Sequence, residues 1–395
     1  MRLSKKNLQY EFIKELYDYC SQTQNFNLLQ QLINARERII LNKFEGGTIG
    51  NLEYLFSTSE AAEILGKQPC SSLPKVYFHI EQMAIKVFGC LLKCSTEFEM
   101  FKLIHKPISV LHRHLDVTKK NSTSAIIDEK YHYELVQDIS TDERYFHTEF
   151  SEHPLPLSDA IVLINIATFI KEHKWYEMLN HLEISSKGEH FILYQYTDNN
   201  IYPTIISSAL IQTTSNKHDW LFFDTFFQNT KWKPNLNADG LLSLSHATFM
   251  SPLARSHFVD KSSTEIENDL FYSILDKTKA CEAIRLTISG EKSKANYHLY
   301  LAQKGLAMAL KESGRDIVFT IIEKPAMVLF YQSMNLLTPT QSPYVFTSEQ
   351  DVNKSGIITY KGIWLLKNAS SAFNQYSFKA YNANIISLRK KLRNQ

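Results

Sequence analysis

The segment that decides the fold spans residues 281–334 and reads CEAIRLTISGEKSKANYHLYLAQKGLAMALKESGRDIVFTIIEKPAMVLFYQSM. Two short apolar runs in it have the length of buried strands, and the stretch between them repeats its apolar residues at helical spacing. Pro325 predicts the start of a second helix, because proline is favoured at the first helical position. The segment therefore predicts a β-α-β-α unit with strands at 281–288 and 316–322 and helices at 293–313 and 324–334. The strands of such a unit are parallel, and the crossover between them is right-handed.

Further strands extend this unit into a sheet. HFILYQY at 190–196 and IYPTIISSALIQ at 201–212 read as two strands joined by a turn at 197–200, and GIITYKGIWLL near the C-terminus reads as another strand. A hairpin is antiparallel, whereas the strands of the β-α-β-α unit are parallel, so the sheet is mixed. We expect an α/β (α+β) fold in which helices flank a mixed central sheet.

The N-terminal part of the chain differs in character. Residues 1–115 read mostly as helix, since their apolar residues recur at helical spacing. Residues 116–156 are polar and close with two prolines, which is typical of a boundary region. We therefore predict a mostly helical accessory region at 1–150 and a catalytic domain at 151–395.

Composition and charge exclude several classes of function. The 395 residues carry 43 Lys+Arg and 41 Asp+Glu, so nothing favours nucleic acid as a partner. With 12 glycines the chain has no G-x-G-x-x-G or G-x-x-x-x-G-K-[ST] loop to cradle phosphates. Five cysteines without a C-x-x-C pair fit reduced thiols and give no metal site. No run is apolar enough for a signal peptide or a membrane span, so we expect a cytoplasmic protein.

The pair Glu282 and Arg285 is the main candidate for chemistry. Both residues lie on the first predicted strand of the β-α-β-α unit. Residues three apart on a regular strand point to opposite faces, so the two side chains reach one site only if the strand bulges between them. An edge glutamate and a surface arginine are the alternative, and the pattern alone does not decide.

The order of these elements resembles the acyl-homoserine-lactone synthases, which make quorum-sensing signals and have a GNAT-like fold. The resemblance rests on Glu-x-x-Arg followed by an apolar strand, a long helix, a second strand and another helix. Phe169 and Trp175 reproduce the spacing of two aromatic residues of that family, while Asn165 stands where it has arginine. Its acidic pair is echoed loosely by Glu183 and Glu189. These departures and the long N-terminal region resemble the LuxM/AinS/VanM branch.

The resemblance implies a two-step reaction of S-adenosyl-L-methionine. Its amine attacks an acyl thioester carried by acyl-carrier protein or coenzyme A, and its carboxylate then closes the lactone and releases 5′-methylthioadenosine. S-adenosylmethionine is thus a substrate, and no cofactor is expected. Glu282 is expected to be the base, Arg285 the cation that binds the carboxylate, and Tyr331 the acid that protonates the leaving thiolate. Phe319 is expected to line the path of the acyl-pantetheine arm.

Further residues are expected to contact the substrates. Backbone N–H groups near Thr287 and Ile288 are candidates for stabilising the developing oxyanion. Phe169 and Trp175 would wall the S-adenosylmethionine pocket, with Glu183 as a further binding residue, since an aromatic face attracts the sulfonium. Either ring also reads as an ordinary core residue.

Two other functions stay open at this point. A GNAT-type N-acyltransferase could join an acyl group from acyl-CoA to a different amine, although the single Gly290 departs from the glycine-rich loop of ordinary acetyl-CoA enzymes. A non-catalytic protein could keep the fold and bind a ligand, and the missing arginines at the positions of Asn165 and Ala209 (or Ser243) are its main support. Binding of S-adenosylmethionine distinguishes a lactone synthase from an N-acyltransferase that uses another amine. Formation of product distinguishes a lactone synthase from a non-catalytic binding protein.

Overall fold

In a computed structural model the chain folds into two compact units. The helical unit comprises Met1–Val117, Glu143–Tyr145 and Phe150–Lys187, and the sheet unit comprises Thr118–Asp142, Phe146–Glu149 and Gly188–Gln395. The structure describes residues 5–43, 52–106, 124–197, 200–213, 216–228, 231–251, 258, 260–352 and 358–393. Within these ranges, the side chains of Phe226, Pro339, Leu392 and Arg393 are not described.

Helices form most of the helical unit. Within the sheet unit, other helices flank the sheet. In chain order they are α1 Lys5–Thr23, α2 Leu28–Lys43, α3 Leu52–Leu55, α4 Ser59–Ile64, α5 Lys75–Phe88, α6 Leu91–Ile104, α7 Leu157–Asn165, α8 Ala238–Ser245, α9 Ser263–Ser273, α10 Ala295–Glu312, α11 Pro325–Leu337, α12 Leu366–Gln375 and α13 Phe378–Arg393. The predicted helical character of the N-terminal region is thus confirmed for its described residues. No helix in the described part of the chain has the length and apolar composition to cross a membrane.

The strands of the described chain are β1 Ala125–Asp128, β2 Tyr131–Val136, β3 Tyr145–Phe146, β4 Leu155–Pro156, β5 His190–Gln195, β6 Thr204–Gln212, β7 Lys233–Pro234, β8 Ala280–Ile284, β9 Ile317–Ile322, β10 Tyr344–Gln350 and β11 Thr359–Leu365. Nine of them form one sheet in the order β1-β2-β5-β6-β8-β9-β11-β10-β7. Among the pairings of neighbouring strands in this sheet, as far as the structure describes it, only that of β8 and β9 is parallel. They form the predicted β-α-β-α unit with α10 and α11, which confirms the mixed fold class.

The two faces of the sheet have different covers, because successive residues of a strand point to opposite sides. On the helix face, Val318 and Trp364 pack in a core with α10 to α13. On the aromatic face, Phe319 and Ile363 pack in a second core. Its rings come from the segment 217–228, which we call the aromatic cover, and from α9: Trp220, Phe222, Phe223 and Phe271. Glu282 shares the aromatic face, since it pairs with Phe319.

The polar segment 116–156 holds strands that the sequence analysis did not predict. β1 and β2 belong to the sheet, and Tyr131 and Tyr133 are buried in its core. The interpretation as a boundary region was wrong here, because β2 alternates aromatic residues with His132 and Glu134 and so has a low hydropathy. The limits of the compact units also differ from the boundary predicted at residue 150: α7 is buried along almost its whole length within the helical unit.

Candidate functional site

A bulge interrupts the strand that carries the Glu-x-x-Arg motif. β8 pairs with β6 in the register Ile284↔Leu210, yet the next bonds run from Thr287 N–H to Ser208 O at 2.9 Å and from Ser289 N–H to Ile206 O at 2.8 Å. The later bonds are displaced by one residue, so one extra residue is inserted between them. Arg285 has a φ of +56° and is the point of insertion. The bulge that the motif's spacing requires is therefore present.

The bulge leaves Arg285 on the aromatic face, the face that carries Glu282. Ile284 is two residues from Glu282 and shares its face. Ile284 pairs with Leu210, and Leu210 pairs with His190 on β5, so these side chains form one row on that face. The positive charge of Arg285 lowers the pKa of His190, an effect that fits a guanidinium on this face of the sheet. The structure therefore brings Glu282 and Arg285 to one side of the sheet.

The carboxylate of Glu282 is buried and held by backbone amides. Leu221 N–H donates to its Oε2 at 2.9 Å, and Phe222 N–H donates to its Oε1 at 2.6 Å. The residue is 0% exposed, and burial raises the pKa of its carboxyl to about 7, against the two amide bonds and the charge of Lys361, which lower it. A pKa near neutrality is the value that suits a general base at physiological pH.

A buried ion pair of Lys361 and Glu267 lies beside this carboxylate. Lys361 Nζ binds Glu267 Oε2 and the carbonyl of Phe227 at 3.0 Å, and it lies 4.2 Å from the centre of the Phe222 ring. Three further side chains donate to Glu267: Ser348 at 2.6 Å, Thr347 at 3.2 Å and Gln228 at 3.2 Å. The pair thus anchors the aromatic cover whose amides hold Glu282. Sequence reasoning missed both residues, although a lysine inside the apolar strand TYKGIWL is a detectable signal.

A wedge opens between the two parallel strands beyond Glu282. Pairing of β8 with β9 ends at Glu282↔Phe319. Beyond that point the chain of residues 285–289 stays hydrogen-bonded to β6, while β9 stays paired with β11 as far as Ile322. The two backbones therefore diverge, with Glu282 and Phe319 at the apex. Phe319 itself is 0% exposed and packs on the rings of the aromatic cover, so it closes the apex on that face.

Only one of the two predicted oxyanion donors is available. The expectation for Thr287 was wrong, because its N–H already donates to Ser208 O at 2.9 Å and its Oγ1 accepts from Ser208 N–H at 3.0 Å. Successive N–H groups of a strand point to opposite edges. Since Thr287 and Ser289 donate to β6, the N–H of Ile288 points to the edge that borders the wedge.

Tyr331 lies under the other face of the sheet. It belongs to the core of the helix face, is 2% exposed, and its hydroxyl donates to Gln303 Oε1 at 3.0 Å. Its ring stacks on Tyr344 with the centroids 4.0 Å apart. Burial raises the pKa of Tyr331 well above its ordinary value. The predicted acid is thus separated from Glu282 by the sheet itself.

Four of the remaining residues from the sequence analysis belong to the helical unit, namely Asn165, Phe169, Trp175 and Glu183. Phe169 lies in a π-helical turn after α7, and its ring stacks on Trp175 at 6.4 Å with the planes 23° apart. Glu183 is exposed, whereas its predicted partner Glu189 belongs to the sheet unit and pairs with Arg315 at 3.8 Å. Asn165 is buried and donates to Ile161 O at 2.9 Å, so it serves its own helix. The structure thus shows the predicted aromatic residues as a stacked pair.

Comparison with known proteins follows the same direction. A family model described as acyl homoserine lactone synthase matches residues 6–394. The chain is 35% identical to the acyl-homoserine-lactone synthase LuxM of Vibrio atlanticus over 65% of its own length and 63% of that protein. It is 34% identical to LuxM of Vibrio harveyi over 67% of its length and 64% of the relative, so in both the match spans less than two thirds of the relative. It is 30% identical to the synthase OpaM of Vibrio parahaemolyticus, over 92% of its length and 88% of the relative. No solved structure matches the chain.

Proposed function

Because the chain belongs to the acyl-homoserine-lactone synthase family, we propose that it makes an N-acyl-homoserine lactone from S-adenosylmethionine and an acyl thioester. The amine nitrogen forms a bond to the thioester carbonyl carbon, and the carbon–sulfur bond to the carrier breaks. A carboxylate oxygen then bonds to the methylene carbon attached to the sulfonium, and 5′-methylthioadenosine leaves. The observation that carries the proposal is the bulge that puts Arg285 on the same face as Glu282, whose near-neutral carboxyl lies at the apex of the wedge.

Glu282 is the proposed base of the first step. The amine attacks as a neutral group and must lose a proton to form the amide, and a carboxyl whose pKa is about 7 can accept it at neutral pH. Each carboxylate oxygen has two lone pairs, and the amides of Leu221 and Phe222 each take one. The other lone pairs stay for the amine, directly or through one water. Because the carboxylate is buried, substrate binding has to shift the aromatic cover enough to admit it.

Arg285 is the proposed partner of the substrate carboxylate, and the N–H of Ile288 is the proposed partner of the oxyanion that develops on the thioester carbonyl. The half-buried guanidinium of Arg285 offers a fork of N–H donors that matches the carboxylate of S-adenosylmethionine. The Ile288 N–H at the edge of the wedge is the proposed donor to the oxyanion. Phe169, Trp175 and Glu183 remain predicted contacts of S-adenosylmethionine.

The wedge is the proposed path of the acyl-pantetheine arm. An extended arm with amide groups can lie between two diverging strand edges and bond to them as an added strand does. Coenzyme A and acyl-carrier protein present the same arm, so either can be the donor. Tyr331 remains the predicted acid for the thiolate. Its hydroxyl donates to Gln303 Oε1, so this hydrogen bond has to break before the hydroxyl can give its proton to the thiolate.

Product formation tests the proposal. The protein is incubated with S-adenosylmethionine and acyl donors of about four to twelve carbons on coenzyme A and on carrier protein, and methylthioadenosine and the lactone are followed by mass spectrometry. We expect both products in equal amounts, and a loss of at least about 100-fold in Glu282→Gln. Glu152→Gln, at an exposed carboxyl, is the matched control. Thiol release without methylthioadenosine would mean thioester hydrolysis or acylation of S-adenosylmethionine without ring closure, and would exclude lactone synthesis. No turnover with any donor would exclude the proposal as a whole.

A further inference from the structure

His190 is a buried imidazole on the face of the sheet that carries the Glu-x-x-Arg motif. It is the first residue of β5 and is 1% exposed. Through Leu210 it stands in one row with Ile284, the residue before Arg285. Two strand spacings of about 4.8 Å separate the backbones of β5 and β8, so an arginine on β8 and an imidazole on β5 that lean toward one another can both reach a carboxylate between them. No role in the reaction proposed above uses this imidazole.

The local backbone determines how the ring of His190 is oriented. Its Nδ1 lies 3.0 Å from the carbonyl of Gly188, which can only accept, so Nδ1 carries the hydrogen of the neutral ring. Gly188 is held in turn: its φ is +83°, and its N–H donates to Asp138 Oδ1 at 2.9 Å. Asp138 is itself fixed by Ser140, whose N–H and hydroxyl donate to the same oxygen at 3.0 and 2.8 Å. The neutral ring therefore presents Nε2 as a lone-pair acceptor.

The charges around His190 disfavour its cationic form in the free protein. Burial lowers the pKa of the imidazole to about 4, the positive charge of Arg285 lowers it too, and Asp138 acts in the opposite direction. Burial also lowers the pKa of Arg285, to about 10. The adjacent Glu189 pairs with Arg315 at 3.8 Å. Two basic groups thus lie on one face of the sheet, and burial disfavours the cationic form of each.

We propose that His190 and Arg285 form a two-sided site for the carboxylate of S-adenosylmethionine, and that His190 takes up a proton when the carboxylate binds. The inference rests on the proposed function. An anion between the two groups neutralises the field of the guanidinium and accepts a bond from a protonated Nε2, and both effects favour the imidazolium. The proton comes from solvent and ends on Nε2, where it donates to the carboxylate. Arg285 supplies the fixed charge, and His190 supplies a second donor that exists only when the ligand is present.

Calorimetry of S-adenosylmethionine binding in two buffers of different ionisation enthalpy tests this at pH 6, because the buffer dependence of the heat counts protons exchanged. His190→Gln is the matched variant, since its amide keeps a donor near the Nε2 position and cannot titrate. Decarboxylated S-adenosylmethionine is the control ligand. We expect the wild-type protein to take up close to one proton more than His190→Gln, and only with the carboxylate present. We also expect the affinity of the wild-type protein for S-adenosylmethionine to fall as the pH rises, by up to about tenfold per pH unit, between the pKa of His190 in the free protein and its pKa in the complex.

The result that overturns the inference is equal proton uptake and equal pH dependence in the wild-type and His190→Gln proteins. In that case S-adenosylmethionine still binds and the proposed function stands. If S-adenosylmethionine does not bind the wild-type protein at all, the proposed function fails and the inference fails with it. His190→Asn distinguishes a role of the imidazole in ligand binding from a role in folding. The asparagine amide can keep the bond to Gly188 O but does not reach the carboxylate. We therefore expect normal thermal stability and weaker binding of S-adenosylmethionine.

Discussion

Replacement of Arg285 by glycine and by alanine tests the bulge directly. At a φ of +56° a residue with a Cβ atom carries a cost of about 1–2 kcal/mol, which glycine does not have. Glycine in turn loses roughly 0.5–1 kcal/mol more backbone entropy on folding than alanine. The difference leaves Arg285→Gly more stable than Arg285→Ala by about 0.5–1 kcal/mol. This order is the reverse of that found in ordinary strand positions, where alanine is the more stable of the two.

The buried charge adds a second term to the same comparison. Burial lowers the pKa of Arg285 from 12.5 to about 10, which corresponds to about 3 kcal/mol of destabilisation. At pH 7 the guanidinium is charged in both the folded and the unfolded chain, so the folded state bears this cost at every pH below about 10. Both variants escape it. The removal of this cost opposes the loss of the contacts that Arg285 makes, and both variants lose the proposed carboxylate ligand.

Urea unfolding followed by circular dichroism at pH 7 measures the stability, and methylthioadenosine release measures the function. We expect the order glycine, then alanine, in unfolding free energy, and a fall in turnover of about 100-fold or more in both. Arg285→Lys keeps the charge without the fork and should fall between them and the wild-type protein in activity. An alanine variant as stable as the glycine variant would refute the strained bulge, and wild-type turnover in either would refute the role of the guanidinium.

Four further predictions concern Glu282, Lys361 and Tyr331. Wild-type turnover should rise with pH up to about 7, because the carboxylate form of Glu282 is the base. The raised pKa of Glu282 also makes the folded state more stable at low pH. This contribution is complete below pH 4.5 and is lost as the pH rises through about 7. In urea titrations, the stability of Glu282→Gln relative to the wild-type protein should therefore increase between pH 5 and pH 8. Lys361→Met should lower the free energy of unfolding by about 3–5 kcal/mol because it leaves Glu267 buried and unpaired, and the double variant with Glu267→Gln should recover part of it; an additive double variant would contradict the ion pair. Tyr331→Phe should reduce turnover about 100-fold if its hydroxyl protonates the thiolate, while the lost bond to Gln303 changes stability by about 1 kcal/mol; unchanged turnover would remove Tyr331 from the mechanism.

The local patterns of this chain predicted its central unit well. The apolar runs of β8 and β9, the helical spacing of α10 and Pro325 at the first position of α11 are all properties of neighbouring residues. Patterns of this kind report the secondary structure because they depend on the backbone period alone. They failed for β2, where buried tyrosines alternate with polar residues. Its strand is stabilised by pairing with β5, which lies more than 50 residues further along the chain.

The sequence by itself determined which residues form the β-α-β-α unit and that Glu282 and Arg285 could share a site if their strand bulged. Only the tertiary structure decided that it does bulge, because the displacement is visible solely in the register of β8 against β6. The same register removed Thr287 from the oxyanion donors and placed His190 in the row of the motif. Pairing partners are chosen by contacts between residues far apart in the chain, so no local period carries them. The residue types at this site therefore determine its chemistry, and the pairing of its strands determines its geometry.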